Sequence, residues 1–159
     1  MNHDLSTLDF LPRQRPYLNL ESPNGTFQSK RNQLDFLIDG QSLTELVRYD
    51  LVSVLCREWA PEEREKSVRR LLREEQADFP DHRRSTLVCG ECGDIACGAV
   101  SRIVDFSDEG AVWRDFGYQN TYEPEIHGEH LRALGPFHSD LDGYRKNLIR
   151  TLGTLGATS

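Results

Sequence analysis

Apolar and polar side chains alternate over several short runs of this chain, the period-two signature of half-buried strands. Tyr17-Leu18-Asn19-Leu20 is one such run. Ser22-Pro23-Asn24-Gly25 behind it predicts a turn, because Asn and Gly take positive φ at little cost. Gln33-Leu34-Asp35-Phe36-Leu37-Ile38 is a second run, closed by Asp39-Gly40, and the two are predicted to pair antiparallel across residues 21–31. A longer block runs from Leu87 to Tyr118. It predicts a strand entering at Leu87-Val88, a Cys/Gly-rich turn, a strand through Val100, Ile103 and Val104, a turn at Ser107-Asp108-Glu109-Gly110, and a strand over Val112–Tyr118.

Between these runs the period changes to that of helices. Ser42-Leu43-Thr44-Glu45 is a capping box, with Leu43, Leu46 and Val47 as the apolar stripe of a helix over 42–48. An irregular segment to Trp59 follows, although Asp50–Leu55 also suits a short extended piece. Pro61-Glu62-Glu63 starts a helix that the pattern carries to Gln76, with Val68, Leu71 and Leu72 on its inner side. Residues 78–85 and 119–129 read as loops. Ser139 or Asp140 caps a last helix over 140–152, whose face is Leu141, Tyr144, Leu148, Ile149 and Leu152 and whose end is set by Gly153 and Gly156. Residues 1–16, with Pro12 and Pro16, read as an irregular lead-in that rests Leu8, Phe10 and Leu11 on the body. The expected fold is α+β: an antiparallel sheet of about five strands covered by two to three helices. It forms a single domain over 17–153, with 154–159 as a flexible tail.

Composition narrows the class. A chain of 159 residues with 37% hydrophobic and 28% charged residues suits one soluble domain. No run approaches the ~20 apolar residues of a membrane span. Met1-Asn2-His3-Asp4-Leu5 lacks the basic-then-apolar order of a secretory signal, which predicts a cytoplasmic location. The four cysteines are then expected as reduced thiols or metal ligands. The net charge of −7 is unevenly spread: residues 105–142 hold nine acids and two bases, and residues 143–159 hold three bases and no acid. Such an acidic stretch repels phosphate backbones and excludes a nucleic-acid partner, while it attracts a basic protein.

Candidate chemistry concentrates in the Cys/Gly-rich turn. Cys89-x-x-Cys92 followed by Cys97 places three thiols in a tight loop where they can reach one zinc ion. A structural zinc site needs a fourth ligand, for which Cys56, His82, His127, His130 and His138 are the candidates. The competing reading makes the cysteines small buried hydrophobes in a crowded hairpin, with Asp94 stabilising the turn. Asp115-Phe116-Gly117 copies a kinase tripeptide, but no Gly-rich phosphate loop, strand lysine or catalytic loop accompanies it. With no nucleophile elbow, Walker loop or dinucleotide fingerprint either, an enzyme is not expected.

Phe36-Leu37-Ile38-Asp39-Gly40-x-Ser42-Leu43, the Cys89-Gly90-Glu91-Cys92-Gly93-Asp94-x-x-Cys97-Gly98-Ala99 stretch and Val112-Trp113-Arg114-Asp115-Phe116-Gly117-Tyr118 together resemble a group of small, uncharacterised bacterial proteins. Proteins of this general kind are similar to immunity proteins, which neutralise a toxin delivered by neighbouring cells. The resemblance implies a non-enzymatic binding protein whose acidic surface occludes a basic toxin domain, for instance a nuclease. The residues expected to carry that contact are Asp105, Asp108, Glu109, Glu123, Glu125 and Glu129, with Tyr118 and Tyr122 as anchors. The alternative is a small zinc-stabilised domain with Cys89, Cys92 and Cys97 as the metal site and no other cofactor.

Overall fold

In the computed structural model, residues 5–15, 30–108 and 110–157 are described, with the side chains of 154–157 excepted. The expected strand over 17–20, its turn at 22–25, and Glu109 lie outside the described residues. The chain forms an α+β fold with two antiparallel sheets. One holds β1 (Leu8–Gln14), β2 (Asn32–Ile38) and the two-residue β3 (Gln41–Ser42), in that order. The other holds β4 (Leu51–Ser53), β5 (Arg83–Cys89), β6 (Ala99–Ser107), β7 (Gly110–Gln119) and β8 (Phe137–Ser139), each hydrogen-bonded to the next. Among the described residues four α-helices complete it: α1 (Leu43–Val47), α2 (Pro61–Leu71), α3 (Glu129–Arg132) and α4 (Leu141–Ala157).

The lead-in is not irregular. β1 pairs with β2 from Leu8 opposite Ile38 to Gln14 opposite Asn32. Pro12 disguises the strand in the sequence, yet β1 is an edge strand, where a residue without an N–H is tolerated. The short extended piece after α1 forms as β4 and not as an irregular segment. β5 starts at Arg83, inside the expected loop, and all seven of its residues are buried, so it carries no alternation to read. α2 ends at Leu71, five residues before the expected Gln76. The Arg73 amide donates to the Arg70 carbonyl and the Glu74 amide to the Arg69 carbonyl, with Arg73 at φ 59°. This is a Schellman stop, built on an arginine where glycine is the usual signal. α4 runs through Gly153 and Gly156, and Asp140 caps it through its carboxylate to the Gly143 amide at 2.8 Å.

A chain of aromatic rings joins the layers. Phe10 meets Phe36, Phe36 meets Trp113 and Trp113 meets Tyr144, with centroids 5.6, 5.6 and 6.2 Å apart. Both sheets and α4 therefore share one core. Trp113 Nε1 donates to the Tyr144 hydroxyl at 3.1 Å, and that hydroxyl donates to the Leu71 carbonyl. Trp113 and Phe116 both reach this core because β7 bulges between them, with Asp115 at φ 57° and the register shifting opposite Ser101 and Ile103. Asp115 is thereby turned out to solvent beside Arg114, and does not alternate within a regular strand.

Candidate metal centre

β5 delivers Cys89 from its last position, with the thiol buried. The chain then folds tightly: the Gly93 amide donates to the Cys89 carbonyl at 2.9 Å, and the Asp94 amide points at the Cys92 sulfur at 3.4 Å. Gly93 has φ +69° and lies against the Trp59 ring, so a side chain there meets both backbone strain and a clash. Asp94 then caps a single 3₁₀ turn, Ile95–Cys97, by accepting from the Ala96 amide at 2.9 Å. That turn swings Cys97 back over Cys92.

The result brings the three predicted cysteines together. The sulfurs of Cys89, Cys92 and Cys97 all lie within 4.8 Å of one another, and Cys92 and Cys97 stand 2.9 Å apart as free, exposed thiols. Zinc–sulfur bonds of about 2.3 Å in a tetrahedron set sulfurs about 3.8 Å apart, so one ion fits this triad after a small rotation of the exposed pair. Burial pushes the Cys92 thiol up, and its hydrogen bond to Cys97 adds to the rise. A cation among the sulfurs reverses that preference, because thiolates and not thiols are ligands.

The proposed fourth ligands go elsewhere. Cys56 is buried against Glu58 Oε1 at 3.2 Å, and burial pushes its thiol up to about 12. His127 pairs with Glu123 at 3.0 Å, His130 with the Val47 carbonyl at 3.0 Å, and His138 sits in β8. Neither these nor His82 join the triad, and among the described residues no other Cys, His, Asp or Glu does.

The N-terminal sheet grips the same turn. Arg15 at the end of β1 holds Asp50 through two bonds of 2.9 Å and reaches Glu91 with its remaining nitrogen. Its guanidinium occupies the space a side chain at position 90 would need, which is why glycine stands there. Arg31 donates to the carbonyls of Gly90 at 2.6 Å and Glu91 at 3.1 Å, and lies over the Trp59 ring. Nothing in the sequence flags Arg15 or Arg31, since Asp50, Gly90 and Glu91, which they hold, lie 35 to 76 residues away. Between the cysteine turn and α2 opens a cleft of about 450 Å³, which Trp59, Glu63, Cys92 and Asp94 help to line.

The predicted acidic residues, Glu109 apart, sit in β6, in the turn after it and in the segment that follows β7. Asp105 pairs with Arg114 at 2.6 Å and Asp108 is exposed in the β6–β7 turn, at one end of β7. Glu123, Glu125 and Glu129 follow the other end, and a bridge between Tyr118 and His127 folds their segment back against the strand. Tyr118 packs its ring on Tyr49 and its hydroxyl toward the Cys97 carbonyl, so it is part of the scaffold and not a free anchor. Tyr122 is different: 82% exposed, beside Glu123 and Asp81 on a second cleft of about 490 Å³. No helix among the described residues is long and apolar enough to cross a membrane.

No family model matches the chain, and no curated protein or solved structure does. The resemblance to immunity proteins therefore rests on the quoted residues alone.

Proposed function

We propose that this chain is a non-enzymatic, zinc-stabilised domain whose Cys89, Cys92 and Cys97 thiolates bind one ion and fix the β5–β6 connection. The convergence of three sulfurs within 4.8 Å carries this reading. The soft donor set suits zinc, and the Asp94 amide is placed to stabilise thiolate charge. Four free cysteines belong in a reducing compartment, and the cytoplasm is the proposed location. Protein purified without added metal is expected to contain about one zinc per chain by elemental analysis. Cys89→Ser removes the zinc and lowers the melting temperature. A metal-free protein that melts identically with and without chelator refutes the proposal.

A second reading is favoured by Tyr122, an exposed aromatic set among carboxylates on the Asp81–Glu123 cleft. Here the chain is an immunity protein whose 119–129 loop docks a basic toxin domain, with Tyr122 inserted and Glu123 and Glu125 steering. Co-expression rescues growth from the toxin encoded beside its gene. The double reversal Glu123→Lys, Glu125→Lys abolishes rescue and slows association about tenfold or more. Unaltered affinity of the reversed protein for that toxin counts against the acidic loop.

A further inference from the structure

Three thiolates leave a tetrahedral zinc ion one ligand short, the condition of sites that accept a ligand from outside the protein. Cys89 is buried while Cys92 and Cys97 are exposed, so the missing position lies on the solvent side. Cys92 also lines the cleft of about 450 Å³, a size typical of small-molecule sites. An ion bound to that sulfur at about 2.3 Å borders the cleft through Cys92.

The lining specifies the chemistry of a ligand. Val54, Val88 and Trp59 supply an apolar surface. The charged lining is mostly acidic: Glu58, Glu63, Asp78 and Asp94 against Arg70, which is itself 3.8 Å from Asp78. Three of these carboxylates are engaged. Glu58 accepts from Asn32 and Cys56, Asp78 from Ser85, and Asp94 from the Ala96 amide. Glu63, exposed in the first turn of α2, has no salt-bridge partner among the described residues. An anion is repelled here and a cation is attracted, while the metal selects a soft donor.

We infer that the cleft binds a small aminothiol, its sulfur completing the zinc coordination and its ammonium facing Glu63. The inference rests on the zinc reading above. On binding, the ligand thiol gives its proton to solvent, a zinc–sulfur bond forms, and the water on the ion leaves; no electrons are transferred.

The full chain loaded with Co²⁺ tests it, with cysteamine as probe and 2-mercaptoethanol as its uncharged counterpart, both under anaerobic conditions. The loaded protein shows thiolate-to-cobalt charge transfer, and cysteamine shifts the visible d–d bands saturably while that charge transfer persists. Glu63→Gln weakens cysteamine by roughly threefold and leaves 2-mercaptoethanol unaltered. Bands unmoved by cysteamine, or cobalt stripped from the protein by it, overturn the inference and leave the zinc reading standing. Cysteamine binding that is the same in the wild type and in Glu63→Gln overturns the assignment of the ammonium. A chain that takes up no cobalt overturns both the inference and the zinc reading.

Discussion

Cys56 shows how differently two thiols of one chain can be used. It lies outside the triad, fully buried, and desolvation with a hydrogen bond to Glu58 pushes it from an ordinary 9.0 up to about 12. Between those values the folded chain keeps a proton that the unfolded chain has released. The stabilisation is therefore complete below pH 9 and is lost as pH rises toward 12. Unfolding free energy is expected to fall by up to about 1.4 kcal/mol per pH unit in this window from Cys56 alone. Urea titrations at successive pH values measure it. Cys56→Ala should lessen the slope from pH 9, with the raised Cys92 thiol keeping part of it, and the fall should steepen near 10 as Tyr118 and Tyr144, raised by burial from 10.0 to about 12, begin to titrate in the unfolded chain. An unaltered slope in Cys56→Ala would contradict the assignment. At this scale the sequence is informative where ligands are local. Cys89, Cys92 and Cys97 announce themselves by spacing, and Asp94 by its place in the turn. Arg102 does not: it is wholly buried in β6, stacked 4.2 Å from the Trp113 ring, and burial lowers it to about 10. No pattern of neighbouring residues reveals an arginine that a core will enclose.

For α1 and α2, helix starts are readable and helix ends are not, while α3 has no side-chain cap to announce it. Ser42 caps α1 by accepting from the Glu45 amide, although the Glu45 carboxylate takes Arg13 and leaves the box half made, and Pro61 opens α2. Both helices stop on an arginine in the left-handed region, Arg48 at φ 68° and Arg73 at φ 59°, where glycine would have marked the position. Arg48 is exposed, and its amide already closes α1 on the Thr44 carbonyl at 3.1 Å. Arg48→Gly should relieve about 1–2 kcal/mol of left-handed strain, offset in part by greater freedom of the unfolded chain. A net stabilisation of about 0.5–1 kcal/mol in urea unfolding is expected. A lower midpoint would mean that the arginine is held there without strain. The strands divide in the same way. β6 and β7 form where the apolar runs predict strands, although a bulge at Asp115 breaks the alternation of β7, whereas Pro12 conceals β1 and complete burial conceals β5.

At the scale of the molecule, the acidic stretch and the cysteine turn exchange importance. The predicted acids are spread from β6 to the loop beyond β7; Arg114 pairs with Asp105 and with Asp115, and His127 meets Glu123. That loop carries Tyr122, exposed on the Asp81–Glu123 cleft. The cysteine turn gathers contacts from both sheets, with Arg15 and Arg31 reaching it from the N-terminal one. That grip makes the turn a point of thermodynamic linkage. If an ion settles the turn into one shape, it also settles the carbonyls of Gly90 and Glu91 that Arg31 holds, and so favours the docked position of the sheet behind them. Linkage is reciprocal, so the docked sheet must favour the ion by the same factor. Under the zinc proposal, occupancy and the attachment of the first strands would rise and fall together, and the N-terminal segment would report metal status as well as serve the scaffold.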